Sequence, residues 1–134
     1  MTGILLTDVE LLDAFAALTL PATSFGHREH VRLAFAVLAR AGDFGDAALD
    51  YRRLLRAFAA HHGVPGKYHE TITWAYLAIV HERMARDRYA DSEAMLAANP
   101  DLLDHKAGAL ARYYDVAALI ADPLARRTFV LPRV

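Results

Sequence analysis

Apolar residues return every three to four positions along most of the chain, the period of a helix with one buried face, and no stretch alternates with the period of two that a strand requires. Breakers cut this pattern into elements. Val9, Leu12, Phe15, Ala16 and Leu18 predict a first helix, capped by Thr7 and stopped by Pro21. Val31, Ala34, Phe35 and Leu38 predict a second, from about Gly26-His27 to Gly42. A third runs from about Gly45 to His62 with Ala48, Tyr51, Leu55, Phe58 and Ala59 inward, closed by Gly63-Val64-Pro65-Gly66. The fourth and longest extends from Tyr68 to about Arg88. A short helix over 92–98, the cap-like pair Asn99-Pro100 and two or three further turns in the tail to Asp122-Pro123 complete the chain.

Four consecutive helices joined by short loops favour antiparallel neighbours, so the expected fold is all-α, an up-down bundle with short C-terminal helices packed across it. With 134 residues the chain makes one domain, 1–134, large enough to bury a real core. Helices two and four then run in the same direction, and their N-terminal ends meet the C-terminal end of helix three. His27, His30, His61, His62 and His69, five of the seven histidines, fall at that end.

Helical phasing says which of them face inward. Advancing about 100° per residue from His69 places Ile72, Tyr76, Leu77, Ile79, Val80 and Met84 on its side of helix four, Glu70 at the edge and Thr73 within the face. Thr71, Ala78 and Glu82 fall opposite. The same exercise from His27 sets Val31, Ala34, Phe35 and Leu38 around it with His30 inward, while Arg28, Glu29 and Arg32 point to solvent or the rim.

Three inward imidazoles need partners, because an unpaired buried ring nitrogen costs kilocalories per mole. One solution is a divalent transition metal. Neutral rings on helices roughly 8–10 Å apart can converge on zinc, iron or copper at roughly 2 Å, leaving a position open for water or substrate. On this reading His27, His30 and His69 are the ligands, Glu70 is the general base or a fourth ligand, and Arg28, Lys67, Tyr68 and Thr73 bind a small anionic substrate. Hydrolysis and oxygen chemistry both fit an open nitrogen and oxygen site. Helix N-termini disfavour a cation and favour an anion, which keeps an anion-binding pocket open as well. The other class of reading is a noncatalytic module that binds a small ligand or dimerises, its histidines forming a hydrogen-bonded plug.

Composition narrows the field. A net charge of −1 with 55% hydrophobic and 23% charged residues describes a compact globular chain and makes no case for nucleic acid. Arg52-Arg53-Arg56 and Arg83-Arg86-Arg88 read as solvated helix faces. Cysteine is absent, which removes thiolate chemistry and disulfides and fits a reducing cytoplasm. The N-terminus has no basic segment of the kind that opens a signal peptide, and no apolar run reaches the roughly 20 residues of a membrane span. A cytoplasmic location is therefore expected.

Known catalytic motifs are missing. His69-Glu70 and His81-Glu82 begin like a zincin helix, but Thr73 and Ala85 stand where the second histidine belongs. No glutamate is followed three residues later by histidine, as a di-iron bundle needs. His81 lies about three turns beyond Glu70, and it and His105 read as exposed, capping or structural. A metal-binding bundle of the DinB type offers a comparable layout by fold-level analogy alone.

Phe25-Gly-His-Arg-Glu-His-Val-Arg-Leu-Ala-Phe35, Gly66-Lys-Tyr-His-Glu-Thr-Ile-Thr73 and the tail with Tyr113-Tyr114 and Ala125-Arg-Arg-Thr-Phe-Val-Leu-Pro132 together resemble a family of small uncharacterised bacterial helical proteins. The resemblance spans most of the chain and carries no activity with it. It implies that His27, Glu29, His30, His69 and Glu70 lie in the family's most recognisable segments. Arg133 departs from its pattern, which has an acidic residue after the proline.

Overall fold

The structure, a computed structural model, describes residues 5–133 and is all-α. Residues 1–4, which carry part of the reading against a signal peptide, lie outside the described residues. Among the described residues seven helices follow in order: α1 (Asp8–Ala16), α2 (His27–Ala41), α3 (Phe44–His61), α4 (Glu70–Arg86), α5 (Ser92–Ala98), α6 (Val116–Ala121) and α7 (Pro123–Arg127), with a 3₁₀ turn before α2 and before α4 and two between α5 and α6. Among the described residues no helix is long and apolar enough to cross a membrane.

Helix α2 is the centre of the molecule, packing against α1, α3, α4 and α5. Its residues 31–38 are all buried. The expected inward apolar residues of α2 and α3 are buried, from Val31 and Leu38 to Tyr51 and Phe58, while His27 and His30 are partly buried. Local chemistry fixes the ends. Thr7 and Glu10 form a reciprocal capping box on α1, and Glu29 accepts the Gly26 N–H at the start of α2. Gly42 adopts φ 75° and closes α2 in the left-handed conformation that glycine takes most easily.

Helix α1 stops two residues before the predicted Leu18. The Thr19 N–H donates to the Ala14 carbonyl and the Leu18 N–H to the Phe15 carbonyl, with Leu18 itself at φ 60°. This is a Schellman termination with leucine in the usual glycine position, so the sequence carries no glycine to mark it. The face of α1 is rotated as well: Leu11, Leu12 and Phe15 are buried, whereas Val9 is 68% exposed.

Two polar residues assigned to solvent are in fact core. Arg32 is 2% exposed: its Nε donates to Ser92 Oγ at 2.8 Å, and its Nη2 donates to the Leu6 carbonyl and to Asp8 Oδ1 at 3.2 Å. Asp8 also accepts the Ser92 N–H at 2.8 Å, so one buried guanidinium joins the starts of α1 and α5 to the middle of α2. Thr71 is fully buried on the side of α4 predicted to be outermost. Its hydroxyl shares its single proton between the carbonyls of Ala125 and Thr128, at 2.8 and 2.9 Å, and accepts the Val130 N–H. Helix α7 and the tail cover that face, and α4 is buried on two sides.

Candidate functional site

The N-terminal ends of α2 and α4 and the C-terminal end of α3 surround a cavity of about 510 Å³, closed on its fourth side by α6. Its apolar walls include Val31, Leu55, Phe58, Ile72, Val116 and Ile120. Five histidines line it: His27, His30, His62, His69 and His105. His61, the remaining member of the predicted group, is exposed and meets the His62 ring edge-on at 4.9 Å.

His69 precedes the first turn of α4 and is its cap. Nδ1 accepts the Ile72 N–H at 3.2 Å, and Nε2 donates to the Leu119 carbonyl at 3.0 Å, tying α4 to α6. Both ring nitrogens are therefore occupied by the fold. Burial holds its pKa below the ordinary histidine value, against the opposing effect of the Leu119 carbonyl.

His27 donates from Nε2 to the Leu102 carbonyl at 2.7 Å. Burial outweighs that bond and lowers its pKa, so the ring is neutral near pH 7 and Nδ1 carries an available lone pair. The ring lies 5.1 Å from Tyr76 and 5.3 Å from His105. His30, one turn on, packs against Phe25 at 4.1 Å and makes no side-chain hydrogen bond with the described residues. Burial first, and the neighbouring His27 second, push His30 down to about 4.

Two polar atoms in this region are buried without a partner: the Tyr76 hydroxyl and His62 Nε2. The Tyr76 hydroxyl is pushed up to about 12 by burial and by Asp104 and Asp101, so it is a phenol and a donor at any physiological pH. Tyr51, fully buried, donates to the His30 carbonyl at 3.0 Å. It forms part of the cavity floor.

Of the residues expected at one site, His27, His30, Lys67, Tyr68, His69 and Thr73 do line this single cavity. Thr73 uses its hydroxyl to donate to the His69 carbonyl at 2.7 Å. Arg28 is elsewhere, paired with Glu93 of α5. Glu70 is on the other side of Tyr68, in a separate depression, where it is no free base. Arg52 Nε donates to both of its oxygens at 3.0 Å, and the Tyr68 hydroxyl donates to Oε1 at 2.5 Å.

The expected metal set is not assembled. His69 would have to give up a helix cap and a bond to α6 to bind an ion, and Glu70 is held outside the cavity. Among the described residues no group of three or more histidine, aspartate or glutamate side chains is arranged to hold a metal ion. The site residues that sequence reasoning missed are Tyr51 and Tyr76, which read as core, and His105, which read as a surface residue. Helical phasing does put Tyr76 on the same face as His69 two turns on, and that was the available signal. His105 reaches the cavity through an irregular segment that has no period to read.

No protein-family model, no curated protein and no solved structure matches this chain.

Proposed function

We propose that this protein is a small-molecule binding module, and that its ligand is a neutral, largely apolar compound with an acceptor oxygen and an adjacent donor, held in the histidine-lined cavity. The observation that carries this reading is the pair of unpartnered buried atoms, Tyr76 Oη and His62 Nε2, beside an apolar hollow. Leaving a buried polar group unpaired costs about 1–3 kcal/mol, and a ligand that supplies the partner recovers it. A volume of about 510 Å³ lies within the usual range for ligand pockets of ~300–1,000 Å³.

The polar groups define the complement. Tyr76 donates, His27 Nδ1 accepts, and the neutral His30 ring offers one of each. None of them carries charge at neutral pH, so they suit a carbonyl, hydroxyl or carboxamide. Binding without catalysis is favoured because Glu70, the residue expected to act as general base, is ion-paired outside the cavity.

The test is titration with N-phenyl-1-naphthylamine, an uncharged dye that brightens in apolar surroundings. Saturable 1:1 binding is expected, together with its loss in Val64→Trp, which plugs the mouth at a residue 37% exposed. Solvent extraction and mass spectrometry of protein taken directly from cells would identify a co-purifying ligand. Dye binding that is absent, or undiminished in Val64→Trp, would overturn the reading.

A further inference from the structure

On the opposite side of Tyr68 lies a second depression, of about 880 Å³, bounded by α3, the 65–67 turn and α7. Arg52, Arg53, Arg56, Arg126 and Arg127 line it, and Glu70 is its one acid. These arginines come from segments seventy residues apart. Only the folded chain brings the α3 row, in which Arg52 and Arg56 stand one turn apart on a shared face, against the pair at the end of α7.

We propose that this depression is a binding site for a small molecule carrying two or more linked phosphoryl groups. Charge is the first argument. Glu70 is taken by Arg52, and Asp50 pairs with Arg53 at 2.6 Å, but Arg56, Arg126 and Arg127 have no carboxylate within ion-pair reach among the described residues. Three uncompensated guanidinium groups are thus gathered on a chain whose net charge is −1. Their mutual repulsion is relieved by a polyanion.

Preorganisation is the second. Arg126 donates to the Gly66 carbonyl at 2.9 Å and reaches the carbonyls of Tyr68 and Ile120 at 3.4 Å. These contacts fix its position and leave its positive charge in place. A guanidinium fork binds phosphate oxygens in pairs, which favours phosphoryl over single-point anions. Shape is the third. The arginines surround a concavity instead of following a track, and a di- or triphosphate chain matches it better than a nucleic-acid backbone does.

Isothermal titration with inorganic tripolyphosphate at low ionic strength tests the site. One equivalent is expected to bind at least about tenfold more tightly than inorganic phosphate. In Arg56→Ala/Arg127→Ala the affinity falls by about tenfold or more, while circular dichroism and binding of the uncharged dye stay unchanged, because both side chains are exposed and outside the first cavity. Arg56→Lys/Arg127→Lys, which keeps the charge and removes the forks, is expected to give an intermediate loss. The absence of binding to tripolyphosphate, or equal affinity in the alanine variant, overturns the proposal. Tighter binding of a single-stranded oligonucleotide through the same arginines overturns it too, in favour of a nucleic-acid surface.

Discussion

A histidine that caps a helix and ties it to a neighbour is held by two bonds of different worth, and substitutions at His69 can separate them. The Nδ1 contact is an N-cap, worth about 1 kcal/mol, and the Nε2 contact satisfies a carbonyl that otherwise loses its donor. His69→Ala is therefore expected to destabilise the fold by about 2–3 kcal/mol in urea unfolding, and His69→Asn, a good cap with a shorter reach, by roughly half as much. Equal losses in the two would rule out capping as the residue's role. At His30 the same scale of reasoning gives a pH dependence. In the unfolded chain the imidazole takes its proton near pH 6.5, but in the folded protein only near 4. Between these values the unfolded state binds more protons, so this contribution is complete above about pH 6.5 and is lost as pH falls towards 4. His27 and His69 shift in the same direction and add to the loss. Asp101, held below its ordinary carboxylate value by Arg83, weakens the fold only at lower pH, which leaves the window above 4 to the histidines. Urea midpoints should fall by the equivalent of about 2–3 kcal/mol between pH 7 and 4.5, and by clearly less in His30→Phe.

At the scale of elements, the period of apolar residues made the four long helices legible to within a residue or two at most of their ends. It also placed the two helix N-termini and the α3 C-terminus together, because short loops leave few other arrangements. Periodicity cannot show what a fifth or seventh helix later covers. Thr71 and Arg32 fall off the best apolar face of their own helices, yet Thr71 is covered by the segment after residue 122 and Arg32 by the start of α1 together with α5. The expected ligands are engaged elsewhere for a related reason. Phasing gives the direction of a side chain but not the carbonyl it meets, and Leu119 and Leu102 lie on elements too short to position from sequence. The Arg32 connection has a measurable consequence. Arg32→Met leaves Asp8 partly buried without its cation and is expected to cost about 3 kcal/mol or more. Asp8→Asn in the same chain should recover a good part of that loss, since the uncompensated charge is then gone. If the two substitutions simply add in a double-mutant cycle, the buried pair is not what joins α1, α2 and α5.

For the molecule as a whole, a cavity whose polar atoms have no partner among the described residues costs stability that a bound ligand relieves. The surrounding core is otherwise well filled, with Phe15, Phe25 and Phe58 in mutual contact at 4.3–5.1 Å, so the hollow is not a general looseness of packing. Function and stability are then opposed at Tyr76. Tyr76→Phe deletes a buried hydroxyl that has no partner in the unliganded protein and keeps the ring against His27. It is expected to stabilise the empty protein by about 1 kcal/mol, a rise in melting temperature of roughly 3–5 °C for a chain of this size. The same substitution should weaken the natural ligand by about tenfold, because the donor it relied on has gone. Replacing a tyrosine whose hydroxyl is satisfied has the opposite effect, and Tyr51→Phe, which loses the bond to the His30 carbonyl, serves as the control and should lower the melting temperature. A higher melting temperature for Tyr76→Phe with a lower one for Tyr51→Phe identifies the cavity as a site kept open at a cost in stability. A lower melting temperature in both would mean that the Tyr76 hydroxyl has its partner within the protein, and the case for an external ligand would fall with it.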